Sequence, residues 1–358
     1  MSAGRRNVSA AAALFFLPLL LLLLFTAVTL AWPADVLSSV NAVPAHIAGA
    51  FNTPIAYQRQ PDGSSYVFDR REHTVYRIDA ARTKAVAIVN IGAEQGRLLQ
   101  PSAFDSAEDG SFVVADAPRQ KERIQVFYRD GFRVGGFELT GGTLPRITID
   151  SLVLNGVGSL CYTGRTILIS RPETGGLITE YDLYGRALRT IGRLRATGHE
   201  ADPQLHIAFN SGVPLAIPAK GGGTPGGGFY FVFQSGAPVF QRYDESGTLL
   251  WERRIQGREL DTLLAQQPSK WPRRTIGDNE IPLVTPTVRT ARVDPEGRLW
   301  VSLAVPYTYV YDTDGDKIRT VQFRGAGLIS PTSFHFPSGS RVLVTPGLYE
   351  FNTAPFAK

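Results

Sequence analysis

The 358-residue chain carries 37 Lys and Arg against 32 Asp and Glu, with 43% apolar residues, 36 Gly and 24 Pro. Apolar content spread this evenly excludes a disordered chain, and the lack of a G-x-y period or sustained heptad excludes collagen-like and coiled-coil forms. Without Arg5 and Arg6 of the leader, 35 basic residues face 32 acidic ones; an excess this small and scattered excludes a nucleic-acid-binding face.

Residues 1–31 come first and read as an export segment. Arg5 and Arg6 precede a chargeless run over residues 10–31, with small residues near Thr29 and Ala31 where a signal peptidase would cut. The same run is long enough to cross ~30 Å of hydrocarbon as a helix, so a retained membrane anchor is the rival reading. It is the only stretch of that length, which excludes a polytopic membrane protein. No cysteine lies near it, which excludes a lipoprotein. Both readings place residues 32–358 outside the cytoplasm, in the periplasm or at the cell surface. Cys161 is the single cysteine; it excludes an intrachain disulfide and reads as a small buried apolar residue.

Beyond the leader, two phrases recur. One is an aromatic-ended β run, a polar pair and Gly, as in Phe127-Tyr128-Arg129-Asp130-Gly131, Tyr181-Asp182-Leu183-Tyr184-Gly185, Tyr243-Asp244-Glu245-Ser246-Gly247 and Tyr311-Asp312-Thr313-Asp314-Gly315. The other is a Gly turn before an apolar run, at Asp62-Gly63, Asp109-Gly110, Glu296-Gly297 and Ser338-Gly339. Asp-Gly between β runs marks a hairpin, because Gly accepts the positive φ of the turn. In register, the phrases define six units starting near residues 54, 101, 147, 205, 288 and 331. Second strands are expected over 65–69, 111–116, 166–171, 229–234, 299–303 and 341–345. Third strands are expected over 74–79, 123–128, 178–182, 239–243, 308–311 and 348–351. Six four-stranded sheets in one chain predict an all-β fold, a six-bladed β-propeller. The last unit lacks a fourth strand, and residues 35–41 form the one spare strand-like segment. They are expected to close the ring as the outer strand of blade six.

The second unit carries a family likeness. Pro101-Ser102-Ala103-Phe104-Asp105, Asp109-Gly110, Val113-Val114-Ala115-Asp116, Arg123-Ile124-Gln125-Val126-Phe127 and Asp130-Gly131 resemble an NHL repeat almost throughout. The first unit is a looser copy, and units three to six keep only the strand rhythm. The resemblance implies a six-bladed propeller from a family used mostly for binding, whose superfamily also contains metal-dependent lactonases and lyases. Fold alone does not choose between these.

One face of such a ring would carry tight Gly turns, and the other the longer charged loops 69–73, 116–122, 171–174 and 192–204. A rigid scaffold with polar loops on one side is how binding surfaces are built. Arg70, Arg71, Arg119, Lys121 and Arg171 would make this rim positive, which favours an acidic ligand or a glycan; His73 lies in the same loops. Residues 256–286 form the largest insertion, between blades four and five. Leu260, Leu263 and Leu264 at helical spacing predict a short amphipathic helix over 258–267, and Trp271 follows. The insertion reads equally as a lid or partner-docking element and as a plug packed onto the ring. His199 and His206, with Glu200 and Asp202, form the only histidine cluster; its spacing is not that of a zinc protease.

Asp312, Asp314 and Asp316 read as a hairpin turn, because a calcium loop needs Gly at its sixth position and an acid at its twelfth. The glycine-rich stretch 221–228 lacks the Lys-Ser/Thr of a phosphate loop and reads as a flexible loop. The inner-strand starts, read as Pro54, Pro101, Ile147, His206, Val288 and Pro331, supply no acidic metal ligands, and no G-x-S-x-G is present. The expectation is therefore a non-enzymatic exported propeller without cofactor or metal, binding a protein, peptide or glycan through its loop-rich face. Its candidate ligand-binding residues are Arg70, Arg71, His73, Arg119, Lys121, Arg171, His199, His206 and Trp271. The alternatives are a metal-dependent lactonase- or lyase-like enzyme with a site in the central funnel, and a structural subunit of an envelope complex tethered by residues 10–31.

Overall fold

A computed structural model describes residues 34–353, apart from 143–144, 150–151, 156, 220–224 and 277–278. The leader and its two readings lie outside the described residues, as does the first half of the 221–228 stretch. Among the described residues no helix is long and apolar enough to cross a membrane.

The fold is all-β and propeller-like. Four antiparallel sheets of four strands each follow one another along the chain, at 54–89, 103–142, 160–193 and 212–254. A nine-stranded sheet and two two-stranded pairs, Pro145–Ile149 with Leu152–Asn155 and Arg273–Ile276 with Asn279–Pro282, hold the rest. The nine-stranded sheet runs Val288–Val293, Leu299–Leu303, Thr308–Tyr311 and Lys317–Arg324, then Asp35–Ala42, Tyr349–Asn352, Arg341–Thr345 and Ser333–Ser338, with Leu328–Ile329 paired to Lys317–Arg324. Second strands are apolar on both faces because neighbouring sheets pack on both. Ser65–Asp69, Phe112–Asp116 and Leu299–Leu303 are buried at every position, the pattern of a strand with no solvent side. The fourth strand Leu249–Arg254 is exposed at all positions but one.

The turns form for the reason the sequence implies. Gly63, Gly110, Gly185, Gly247, Gly297 and Gly315 all have φ between 83° and 88°. The preceding Asp closes each turn by accepting backbone N–H groups. Asp182 Oδ1 takes those of Tyr184 and Arg186, and Asp312 Oδ1 takes those of Asp314 and Asp316. The acidic trio at 312–316 is thus an ordinary hairpin turn. The Asp that ends a second strand has a different task. Asp69 accepts from the Thr53 N–H at 3.0 Å and Asp116 from the Leu99 N–H at 3.0 Å. Each thereby pins the segment that leads into its own sheet's first strand.

Several expectations are corrected. Residues 145–149 do not open the third sheet; they pair with Leu152–Asn155 as a separate hairpin, and the first strand is Leu160–Tyr162. Ile147, Thr148 and Ile149 face Leu154, Val153 and Leu152 across this pair. The fourth sheet opens at Gly212, because Asp202 caps a helix over Pro203–Asn210 with Pro at its first turn, a start signal in Asp202-Pro203 that outranks the apolar pattern. Pro225–Phe233 is a strand, so the second half of the glycine-rich stretch is not a loop. The spare strand Asp35–Ala42 pairs in parallel with Lys317–Arg324 over Asp35–Ser38, then antiparallel with Tyr349–Asn352 over Ser39–Ala42. Its eight residues exceed the four of Tyr349–Asn352, so its first half is free to pair with the preceding sheet.

Leu37, on this strand, is buried with Trp300, Phe323 and Phe351. Leu37→Ala is expected to lower unfolding stability by about 2–4 kcal/mol. Val36→Ala, at an exposed neighbour, should change it by less than about 0.5 kcal/mol. Denaturant titration of both variants checks this.

Candidate functional site

Strands of five sheets converge on one channel. Gln58, Ala103, Leu160 and Leu215, from the first strands of the four-stranded sheets, and Arg292 and Phe334, from Val288–Val293 and Ser333–Ser338 of the nine-stranded sheet, border a single cavity of about 150 Å³. Arg70, from the loop after Asp69, and Gln234, at the end of the fourth sheet's second strand, complete its rim. The cavity therefore opens among the longer loops. A second cavity of about 540 Å³ opens among the tight turns, bordered by Glu108, Thr163, Gly164 and Arg165. Leu215 and Arg292 border both.

Arg292 is the partition. Its Nη1 donates to Asp105 Oδ1 at 2.9 Å. Asp105 is 1% exposed and saturated by donors: Gln58 Nε2 at 3.0 Å on Oδ1, and the Tyr162 N–H at 2.9 Å on Oδ2. Gln58 Oε1 in turn accepts from the Ser106 N–H at 2.9 Å and the Ser106 hydroxyl at 2.6 Å. One carboxylate thus ties four sheets together at the axis, and a buried charge requires such pairing. Beside it, His335 Nε2–H donates to the Arg59 carbonyl at 2.9 Å. Burial first, and the Arg292 cation second, drive the His335 pKa down to about 3, so the ring is neutral. Cys161 is buried, and desolvation pushes its thiol up to about 11, which makes it inert.

Arginines dominate the loop-side cavity. Arg70, Arg289 and Arg292 border it, and no Asp, Glu or His does among the described residues. Burial lowers the Arg70 pKa against the opposing pull of Asp69. Asp69 itself accepts from the backbone N–H groups of Asn52, Thr53, Arg71 and Glu72.

Of the nine residues expected to bind ligand, the structure brings only Arg70 to the channel. Arg71 is exposed. His73 is half-buried with φ 51°, its Nδ1 without a hydrogen-bond partner, and burial lowers its pKa. Arg119 and Lys121 border a different groove with Arg123, Arg133 and Glu94. Arg171 is corrected from rim to interior: it is 4% exposed, with Nε on Glu173 at 2.9 Å and Nη2 on the Thr140 carbonyl at 2.6 Å. His206 is on the helix Pro203–Asn210, its Nδ1 3.0 Å from Thr197 Oγ1. His199 stacks on Phe209, centroids 5.0 Å apart. Trp271, buried with Leu205, Ala208 and Val284, packs the insertion down rather than offering it to a partner. The predicted helix forms over Arg258–Ala265, with Leu260 buried in the core shared by the fourth and fifth sheets and Glu259 accepting from the Tyr309 hydroxyl. At these contacts the insertion is packed onto the ring.

Asp105, Arg289 and Arg292 were missed. Asp105 stands inside the repeat motif as a pattern residue, and Val288-Arg289-Thr290-Ala291-Arg292-Val293 alternates as any half-buried strand does. The available signal was that a first strand in a ring has no solvent side, so a charge there faces the axis.

No family model matches the chain, and no curated protein matches it. The NHL-repeat family is accordingly not shown. Among solved structures, the chain is similar to a virginiamycin B lyase from Staphylococcus aureus (TM-score 0.49, 10% identity, 82% of this chain and 77% of that chain). It is also similar to a calcium-binding protein, regucalcin, from Agrobacterium tumefaciens (TM-score 0.47, 14% identity, 90% and 96%). A third is Kuenenia stuttgartiensis hydrazine synthase (TM-score 0.48, 13% identity, 85% and 96%). At these scores the fold rests on the strand pairing itself.

Asp105→Asn is expected to destabilise the protein by about 3 kcal/mol, because it leaves the Arg292 cation without its counter-charge. A double-mutant cycle with Arg292→Leu should give a coupling above about 1 kcal/mol. The pH dependence has a definite sign. Unfolded His335 would titrate near 6.5, so below that pH the unfolded chain binds a proton the folded one refuses until about pH 3. Stability therefore falls with acidification across that window, by up to ~1.4 kcal/mol per pH unit from this group. Denaturation curves of His335→Gln between pH 7 and 4 should be flatter than those of the parent.

Proposed function

We propose that the chain is an exported six-bladed propeller that binds a protein, peptide or glycan through its loop-rich face, with the channel mouth as the seat. In this reading the nine-stranded sheet is two blades: residues 288–324, and residues 333–352 completed by Ser39–Ala42. Contacts between the last sheet and the first favour a closed ring. Arg59 makes a fork with Glu350, Nη2 to Oε2 at 3.0 Å, and the Thr345 hydroxyl reaches the Ile55 carbonyl. The leader at residues 1–31 supports export, and the motif likeness of the second unit agrees with a binding propeller.

The observation that carries the binding reading is the charge at the mouth. Arg70, Arg289 and Arg292 surround it, and the axial carboxylate beneath, Asp105, has both oxygens occupied. A metal-dependent lactonase- or lyase-like site calls for carboxylates free to coordinate, and among the described residues no Asp, Glu or His borders this cavity. The polar and apolar walls with a few convergent charges suit a ligand held by its end group.

The test is an array of peptides and envelope glycans, probed with the full-length chain and with Ser159→Trp, whose side chain would fill the mouth from its border. Array members held by the parent should be lost by Ser159→Trp. Undiminished binding by Ser159→Trp would refute the mouth as the seat. Metal-dependent turnover of a lactone panel would favour the enzymatic alternative instead.

A further inference from the structure

We propose that the loop-side chamber is a subsite for one anionic group, a carboxylate or a phosphate, gripped by Arg70 from the rim and Arg292 from the floor. The proposal rests on the binding reading and specifies what part of the ligand enters.

Three observations carry it. First, Arg70 is half-buried at the chamber, yet among the described residues no hydrogen bond or ion pair engages its guanidinium. Its one close acid, Asp69, is turned to four backbone N–H groups. Other arginines of comparable burial are paired: Arg123 with Asp116 at 2.7 Å, Arg298 with Asp294 at 2.6 Å, Arg59 and Arg82 with Glu350 at 3.0 and 2.9 Å. Holding an unpaired cation away from bulk water costs free energy, and an incoming anion removes that cost. Second, Arg292 uses Nη1 on Asp105 and borders the chamber. The ion pair fixes it in place, so little conformational entropy is lost on binding. Third, the chamber is small. Its volume of about 150 Å³ accommodates a carboxylate or phosphate and a short stem. Ser102, Ser159 and Thr290 on the walls supply neutral donors. Guanidinium forks match both anions in geometry.

The experiment titrates the full-length chain with inorganic phosphate and, separately, with acetate. Ionic strength is held constant with chloride, and calorimetry and melting temperature are read together. At least one anion should bind and raise the melting temperature. Preference for phosphate points to a phosphorylated ligand, preference for acetate to a uronic acid or peptide carboxylate, and equal response supports the shared chemistry. Arg70→Gln should weaken binding at least tenfold while leaving the melting temperature of the anion-free protein unchanged or raised. Ser159→Trp, which does not alter Arg70, should abolish the response. Arg186→Gln, on an exposed turn of the opposite face, should respond like the parent. Absence of any response to both anions, or equal binding by Arg70→Gln and Ser159→Trp, overturns the inference. Array ligands lost by Ser159→Trp but kept by Arg70→Gln would overturn it while leaving the binding reading intact.

Discussion

A single ion pair governs the axis of this protein. Asp105 cannot be both 1% exposed and charged without partners, and its partners are drawn from Gln58 of the first sheet, Tyr162 of the third and Arg292 of the fifth. Everything near the channel follows. The first strands must approach closely enough for one carboxylate to reach them all. Arg292 must extend into the channel rather than along its own strand, and in doing so it divides the channel into a small loop-side chamber and a larger turn-side one. Burial first, and this fixed cation second, keep His335 neutral beside it.

The two faces differ because their loops answer different demands. On the turn side, each Asp-Gly hairpin is closed by its own Asp, so the acids there are spent on local backbone N–H groups. On the loop side, the acids at second-strand ends are spent on the incoming chain, as with Asp69 and Asp116. Both arrangements engage carboxylates with backbone N–H groups, and Asp69 in particular is turned from Arg70 to four of them. The positive chamber is thus partly a by-product of how the repeat is built, and its sign does not require a dedicated acidic-ligand motif.

This explains what the sequence made legible. Strands such as Ser65–Asp69, Leu299–Leu303 and Thr308–Tyr311 were readable to the residue, because Gly turns and doubly apolar runs are local signals. The strand Asp35–Ala42 was readable from arithmetic, as the one β segment without a unit, but its parallel pairing with Lys317–Arg324 was not. The starts of the third and fourth sheets were not, since an isolated hairpin and a capped helix compete for the same apolar pattern. The site was least legible. Arg171, Trp271 and His206 look exposed in sequence because polar and aromatic residues in long loops usually are. Here Glu173, Leu205 and Thr197 occupy them. Asp105 and Arg292 stand 187 residues apart, and no local pattern announces a contact at that distance.

The strand Asp35–Ala42 sets a temporal order on the molecule. It is the first described strand in chain order, and its antiparallel partner Tyr349–Asn352 is the last. Loop closure over such a separation is entropically slow and raises the contact order. Until the two meet, Leu37 has no Phe351 to pack on, and the edge of Tyr349–Asn352 lacks its neighbour. The last sheet is therefore completed only when two segments far apart in the sequence find each other.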